Sequence, residues 1–295
     1  MAVAAGLDHF IFDVYAPASD LGAALIAFLN STSPSKASLG FCLLLQGAYG
    51  QALPWTAAPA FAAYFARAEY RLVLGERPLV YLFGPSADDF QKHNWAGWAE
   101  ALAELAAASQ GVGRGQPYVV FMSASPAQGL AALTAINAAS PGGQGAPLVA
   151  GLSSYYLPGA TPTGTPFVAF AAAGPPLWDD FAATGADVIV PVAAGWDNRP
   201  RNMTPVPWEP YVHPDWVVMP QPEELAAFVQ SAVDWDAAHA AANPARVAVL
   251  SAMNEYDEGH YIGAVLPQYG GNARLEAIGR VLKPAAAAPA SSLNG

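Results

Sequence analysis

One cysteine stands in 295 residues. Cys42 thus has no partner for an internal disulfide and no companions for a thiolate metal cluster. Inside "FCLLL" it is expected to be a small buried core residue. Charge is scarce too. Asp, Glu, Lys and Arg make up 12% of the chain, and 12 basic against 23 acidic residues leave a formal net charge of −11. No stretch is rich in Lys or Arg. Nucleic acid and anionic membrane surfaces are therefore not expected as partners, since both need a basic footprint. No apolar run reaches the roughly 20 residues that a membrane helix requires. "LGFCLLLQGAYG" is too short and is broken by glycine, so no membrane insertion is expected. The histidines, His9, His93, His213, His239 and His260, have no HxxxH-type spacing. Neither a metal nor a cofactor is expected. "MAVAAGLDHF" lacks the basic start and long apolar segment of a signal peptide. Location stays open: cytoplasmic, or secreted if an upstream segment carries the signal.

Apolar residues, by contrast, make up 54% of the chain, enough for a large core. They fall into short strand-like runs, each followed by an amphipathic stretch. The runs are His9–Ala16, Ser38–Gln46, Arg77–Gly84, Pro117–Ala124, Pro147–Tyr156, Ala186–Asp197 and Ala245–Tyr256. Each is continuously apolar rather than alternating, as in a parallel sheet covered on both faces. Strand–helix alternation means α/β. A doubly wound sheet would favour a phosphate-binding glycine loop after the first strand, and neither GxGxxG nor GxxxxGK[ST] stands there. The expected fold is therefore a (β/α)8 TIM barrel. Seven strands are found where eight are needed, and "VAAGLD" reads as the end of a helix entering a strand. The first strand and most of the first helix are expected to be missing, or their place is taken by another segment. Residues 1–283 form one expected barrel domain. Residues 284–295, Pro- and Ala-rich, form an expected disordered, low-complexity tail.

In such barrels the chemistry sits at the C-terminal ends of the strands. Those ends here carry Asp13 and Tyr15, Gln46, Tyr155 and Tyr156, then Trp196, Asp197, Asn198 and Arg199, and finally Asn254, Glu255, Tyr256, Glu258 and His260. Aromatic faces stack on sugar C–H surfaces, and carboxylates and amides bond hydroxyls. A glycan or polysaccharide is the expected partner. Taken singly, Asp13 or Gln46 has an equally ordinary reading as a polar strand end. "GWDNRPR" also reads as a turn, with Asp197 and Asn198 supplying Asx geometry and Arg199 and Arg201 pairing with nearby acids.

Glu255 and Glu258 are three apart and followed by Gly259. In an extended strand they would face opposite ways; on a helical turn they share a face. Paired carboxylates suit glycoside hydrolysis, in which one group holds a proton for the leaving oxygen and the other acts as base or nucleophile. Like charges in proximity resist joint ionisation, which raises one pKa. The plainer readings of the pair are acids at a helix N-terminus or on a solvated loop.

"NEYDEGHYI" is similar to the Asn-Glu-aromatic-x-Glu-Gly signature of the endo-α-mannosidase and WbsX-like glycoside hydrolases, family ninety-nine. "GWDNRPR", "AGLDHFIFDVYAP", "RPLVYLFG" and "PEELAAFVQSAVDW" resemble further segments of that family, in the same order, over most of the chain. "HYIG" also resembles the endo-α-1,3-glucanase motif. The resemblance implies a metal-independent retaining endo-hydrolase working through a 1,2-anhydro sugar. It implies Glu255 as the base on the 2-hydroxyl, Glu258 as the acid/base at the leaving group, and Asn254 as the residue that orients them. Two departures stand out: Tyr256 takes the place of the usual Trp, and the family's first strand has no counterpart. Two other functions are consistent with these residues: a carbohydrate-binding pseudoenzyme, and a protein associated with a polysaccharide-assembly glycosyltransferase. Against the latter, "DWD" (Asp234–Asp236) lies in an expected helix rather than in a nucleotide-sugar loop.

Overall fold

The computed structural model describes residues 1–15, 20–46, 58–83, 95–140, 147–155, 157–206 and 214–283. The expected tail and Tyr156 lie outside them, as does the side chain of Gln46. The apolar runs form parallel strands: β1 (His9–Asp13), β2 (Gly40–Gln46), β4 (Arg77–Phe83), β5 (Tyr118–Met122), β6 (Gly151–Ser153) and β7 (Asp187–Val188) are neighbours in that order. The next pair is β8 (Val190–Ala193) and β9 (Ala248–Ser251), also parallel. β7 and β8 are one chain run broken at Ile189, whose N–H donates to the Leu152 carbonyl at 3.0 Å. The run therefore joins the two sheets into a curved wall of seven staves. Both faces of the wall are packed: Tyr81 is fully buried on the inner face, and Phe121 and Leu152 are fully buried on the outer face, against Trp98 and Gly129 of the covering helices.

Helices cover the outside. They include α1 (Ala23–Asn30), α2 (Ala58–Phe65), α3 (Trp95–Gly111), α4 (Pro126–Ala138), α5 (Phe167–Ala171), α6 (Gly174–Ala183), α7 (Pro222–Ala238) and α8 (Ala273–Leu282). Local sequence explains their starts. Ser125 caps α4 by accepting from the Gln128 N–H, with Pro126 in the first turn. Gln221 and Glu224 form a capping box on α7, which satisfies two amides that a helix start leaves open. Trp178 on α6 fixes helix to barrel. Its Nε1–H donates to the Pro191 carbonyl at 2.9 Å, and its ring stacks on Phe228 of α7 with centroids 5.7 Å apart.

Two boundaries depart from the sequence reading. The amphipathic pattern of "APAFAAYFARAEYRLVL" predicts one helix from Ala58 to Leu74, but α2 ends at Phe65 and Leu72–Val73 forms β3, antiparallel to β4. Backbone bonds to the β2 edge win there: Phe41 and Arg71 exchange carbonyl and amide contacts with residues 69–71 and 41, and the Tyr70 hydroxyl donates to the Leu79 carbonyl. The last three expected strands are also shorter than their apolar runs, which lose residues at both ends.

Among the described residues the barrel is open on one side. Gly40 N–H donates to the Asp8 carbonyl and Val14 N–H to the Leu44 carbonyl. Alternation along a strand then turns the backbone groups of Ile11 and Asp13 away from β2. On β9 the Ser251 carbonyl accepts from Ala194, so Ala248 and Leu250 turn away from β8. Among the described residues no strand pairs with either edge. All five residues of β1 are only half-buried, where a stave with two neighbours would be closed in. Among the described residues, the eighth position expected from the sequence is thus a gap between β1 and β9. Hydrogen exchange read by NMR checks this: the Ile11 and Leu250 amides are expected to exchange at least about tenfold faster than those of Phe12 and Val249. Equal protection of the two sets would mean that something covers the edge.

Candidate active site

Just past β9 the chain turns. The Ser251–Ala252 peptide is cis, and Tyr256–Glu258 form a single 3-10 turn with Glu255 at its start and Gly259 at its end. Residues three apart eclipse in such a turn, so Glu255 and Glu258 come to the same side. Both line a cavity of about 1460 Å³ that opens at the barrel mouth and continues down the gap between β1 and β9. Asp13, Tyr15, Tyr155 and Asn254 line it as well. The strand-end reasoning thus brought six of its residues to one hollow.

Hydrogen bonds order the group. The Tyr15 hydroxyl donates to Asp13 Oδ2 at 2.6 Å. The Tyr155 side chain bonds Glu255, and its ring packs edge-on against Phe83 and His260, with centroids 5.7 and 5.2 Å away. Burial first, then the nearby charges of Glu255, Glu258 and Asp13, push the Tyr155 phenol well above its usual range. Tyr155 therefore stays protonated and acts as a donor. Burial also raises Glu255 above the ordinary carboxylate value. Asp257 adds to the rise, while Arg201 and the Tyr155 hydrogen bond oppose it. Glu258 sits in a different field: Arg201 Nη2 lies 2.6 Å from its Oε1.

The remaining sequence candidates do other work. Asn198 and His260 were expected to touch the ligand, yet both are fully buried, and neither lines the cavity. His260 packs beneath the pair, with Nε2 3.1 Å from Ser251 Oγ. The Ser251 hydroxyl already donates to the Tyr155 carbonyl at 2.6 Å, so its oxygen must accept, and the proton of His260 lies on Nε2. Trp196, Asp197 and Arg199 form a brace instead of a subsite. Arg199 Nε and Nη2 each donate to the Asp197 carboxylate at 2.7 Å. The Arg199 guanidinium lies 3.6 Å over the Trp216 ring, and the Trp196 carbonyl accepts from Val217. Within "GWDNRPR", Asp197 and Arg199 satisfy each other locally, while Arg201 reaches out to Asp257 and Glu258. Tyr256 is exposed at 46%. Its hydroxyl donates to the Ala264 carbonyl, and its ring leans on Tyr261.

Sequence reasoning missed Arg201 as a member of the site. It lines the cavity, and the signal was its reading as a partner of nearby acids, which did not say that one of them would be Glu258. It also missed Ser251, which looked like an ordinary strand residue.

Gly259 carries the loop's fit. Its φ is +59°, and an added Cβ would sit 2.9 Å from the Asp197 Cβ. The Glu258 carbonyl accepts from the Asp197 N–H at this same contact. Gly259→Ala is expected to cost about 1–2 kcal/mol from the left-handed backbone alone, plus the collision. Denaturant melts should report that loss.

No family model matches this chain, and a search of curated proteins returns no match. Solved structures do match. A GH99 endo-alpha-mannosidase from Bacteroides thetaiotaomicron superposes with a TM-score of 0.57 at 11% identity, covering 96% of this chain and 78% of that one. The same enzyme in complex with bis-tris-propane gives 0.52 at 12% identity, covering 89% and 71%. The fold is that of a (β/α)8 barrel. This chain presents seven of its staves among the described residues, with the site at the C-terminal face where barrels of this kind place theirs.

Proposed function

We propose that the protein is a retaining, endo-acting glycoside hydrolase for an α-linked, mannoside-like glycan. The observation that carries this reading is the convergence of Glu255 and Glu258 on one cavity at the barrel mouth, beside Asp13, Tyr15, Tyr155 and Asn254. The fold shared with endo-α-mannosidases supports it. In the mechanism, Glu255 removes the proton of a sugar 2-hydroxyl, whose oxygen attacks C1 and forms a 1,2-anhydro ring. The C1–O bond to the leaving sugar breaks, and Glu258 supplies that oxygen with a proton. Glu258 then takes a proton from water as it opens the anhydro ring, and Glu255 returns its proton to the 2-oxygen. Two inversions at C1 give net retention. Tyr155 steadies Glu255 through its hydrogen bond, and Asp13, held by Tyr15, faces the sugar hydroxyls across the cavity.

The test is a panel of α-linked glycans with reducing-end detection, run beside calorimetry. Release of new reducing ends from an internal linkage is the expected result. The open barrel side favours a second reading, a glycan-binding protein without turnover. Heat of binding with no product across the panel would select it.

A further inference from the structure

Arg201 holds Glu258 from outside the loop that carries the pair. It comes from the short turn Arg199–Asn202 that follows β8, and its side chain is 94% buried. Nη2 reaches Glu258 Oε1 at 2.6 Å and Nε reaches Asp257 Oδ2 at 2.9 Å. The turn is itself pinned: Arg201 N–H donates to the Asn198 carbonyl, and Asp197 N–H donates to the Glu258 carbonyl. Lys36, Arg71 and Arg246 also line the cavity, but each faces an acid of its own, Glu69, Asp8 and Asp236 respectively. Among the described residues, Arg201 is the cation paired with the site glutamates.

We propose that Arg201 is the positioning residue of the carboxylate pair: it fixes Glu258, keeps it ionised in the free protein, and leaves any proton taken up by the pair on Glu255. This deepens the hydrolase reading and puts a demand on it. For Glu258 to protonate a leaving oxygen, the bound glycan must loosen the Arg201 contact. Without that loosening, the two glutamates exchange their roles.

Among the described residues, the ionisable groups around Glu258 come from several elements. Arg201 faces it from the turn after β8, and Asp257 and Glu255 belong to its own loop. Tyr155 faces it from the segment after β6, and Asp13 and Tyr15 from the end of β1. His260 lies beneath the same loop and is kept neutral by its burial; the groups other than His260 and Arg201 are acids or phenols, which disfavour a second negative charge. A guanidinium in contact lowers a carboxylate by about 1–3 pH units. The higher ordinary affinity of Glu255 for a proton agrees with this division.

The experiment is a 13C-carboxyl NMR titration of glutamate-labelled protein, with Glu255→Gln and Glu258→Gln assigning the two signals. In the parent, Glu258 is expected to titrate below Glu255. In Arg201→Met its midpoint rises by at least about 1 pH unit, and Arg201→Lys restores most of the shift. A parent in which Glu258 titrates above Glu255 overturns the proposal, whether or not Arg201→Met folds. So does a folded Arg201→Met with an unmoved Glu258 midpoint. On a cleaved glycan, the limb of the pH profile that moves upward in Arg201→Met identifies the role of Glu258: the alkaline limb if it is the acid, the acidic limb if it is the base. Absence of turnover in the parent would count against the hydrolase reading and leave the titration intact.

Discussion

Glu255→Gln and Glu258→Gln are each expected to lower reducing-end release at least about 10³-fold on any glycan the parent cleaves, within the range that proton transfer by a positioned side chain supplies. Glutamine keeps the shape and can still accept a hydrogen bond, so loss of the ionisable group is isolated from loss of packing. At Glu255 the partner is Tyr155, a donor that an amide oxygen satisfies. At Glu258 the partner is Arg201, which keeps Asp257 as a second contact. Both variants should therefore fold and still bind glycan by calorimetry. The two losses should not add, because the groups act in one reaction and removing either already stops it. Full turnover in both variants would remove the carboxylate pair from the chemistry. Loss in only one would mean that the other glutamate is structural, and Asp13, across the cavity, would then be the next acid to replace.

The architecture was legible because it rests on long apolar runs. A buried parallel strand has no polar face to confuse its pattern, so all seven staves of the wall were found. What the runs could not give was where each strand ends. Residues such as Trp196 and Glu255 continue an apolar stretch in sequence but leave the sheet, since their backbone bonds go to Val217 and His260 instead of to a neighbouring strand. The site was legible where exposure was the only question. Asp13, Tyr15, Tyr155, Asn254, Glu255 and Glu258 reach the cavity because strand ends must open there. It was illegible where a nearby partner consumed the group. Arg199 takes Asp197, Asn198 is buried in its own turn, and His260 is folded under the loop. Asp13, Glu255 and Glu258 are bonded as well, but by partners that leave them on the cavity wall. For the glutamate loop that partner is Arg201, which reaches Asp257 across 56 residues, a contact that no local spacing encodes.

The buried imidazole has a cost that pH exposes. Burial holds His260 at about 4, well below its ordinary 6.5. The unfolded chain therefore takes up a proton between pH 6.5 and 4 that the folded chain refuses. The stability linked to His260 is fully present above pH 6.5 and is lost progressively as pH falls toward 4. A gap of that width corresponds to ~3 kcal/mol. Glu255 works the other way. Its folded value is raised, so it stabilises the fold below its ordinary value and loses that contribution as pH climbs through the raised one. The two effects overlap in the same window and partly cancel in the parent. Replacing His260 separates them. Glutamine can still donate to Ser251 Oγ, so the Ser251–Tyr155 link beneath Glu255 survives, while the refused proton disappears. Denaturant unfolding of His260→Gln should show a clearly shallower fall between pH 6.5 and 4 than the parent, the remaining slope being set by Glu255, which opposes the fall, and by the carboxylates held low, Glu69 and Asp8 among them, which add to it. A variant whose stability falls with the parent's slope would mean that His260 takes its proton inside the fold, with the loop carrying both glutamates opening to admit it.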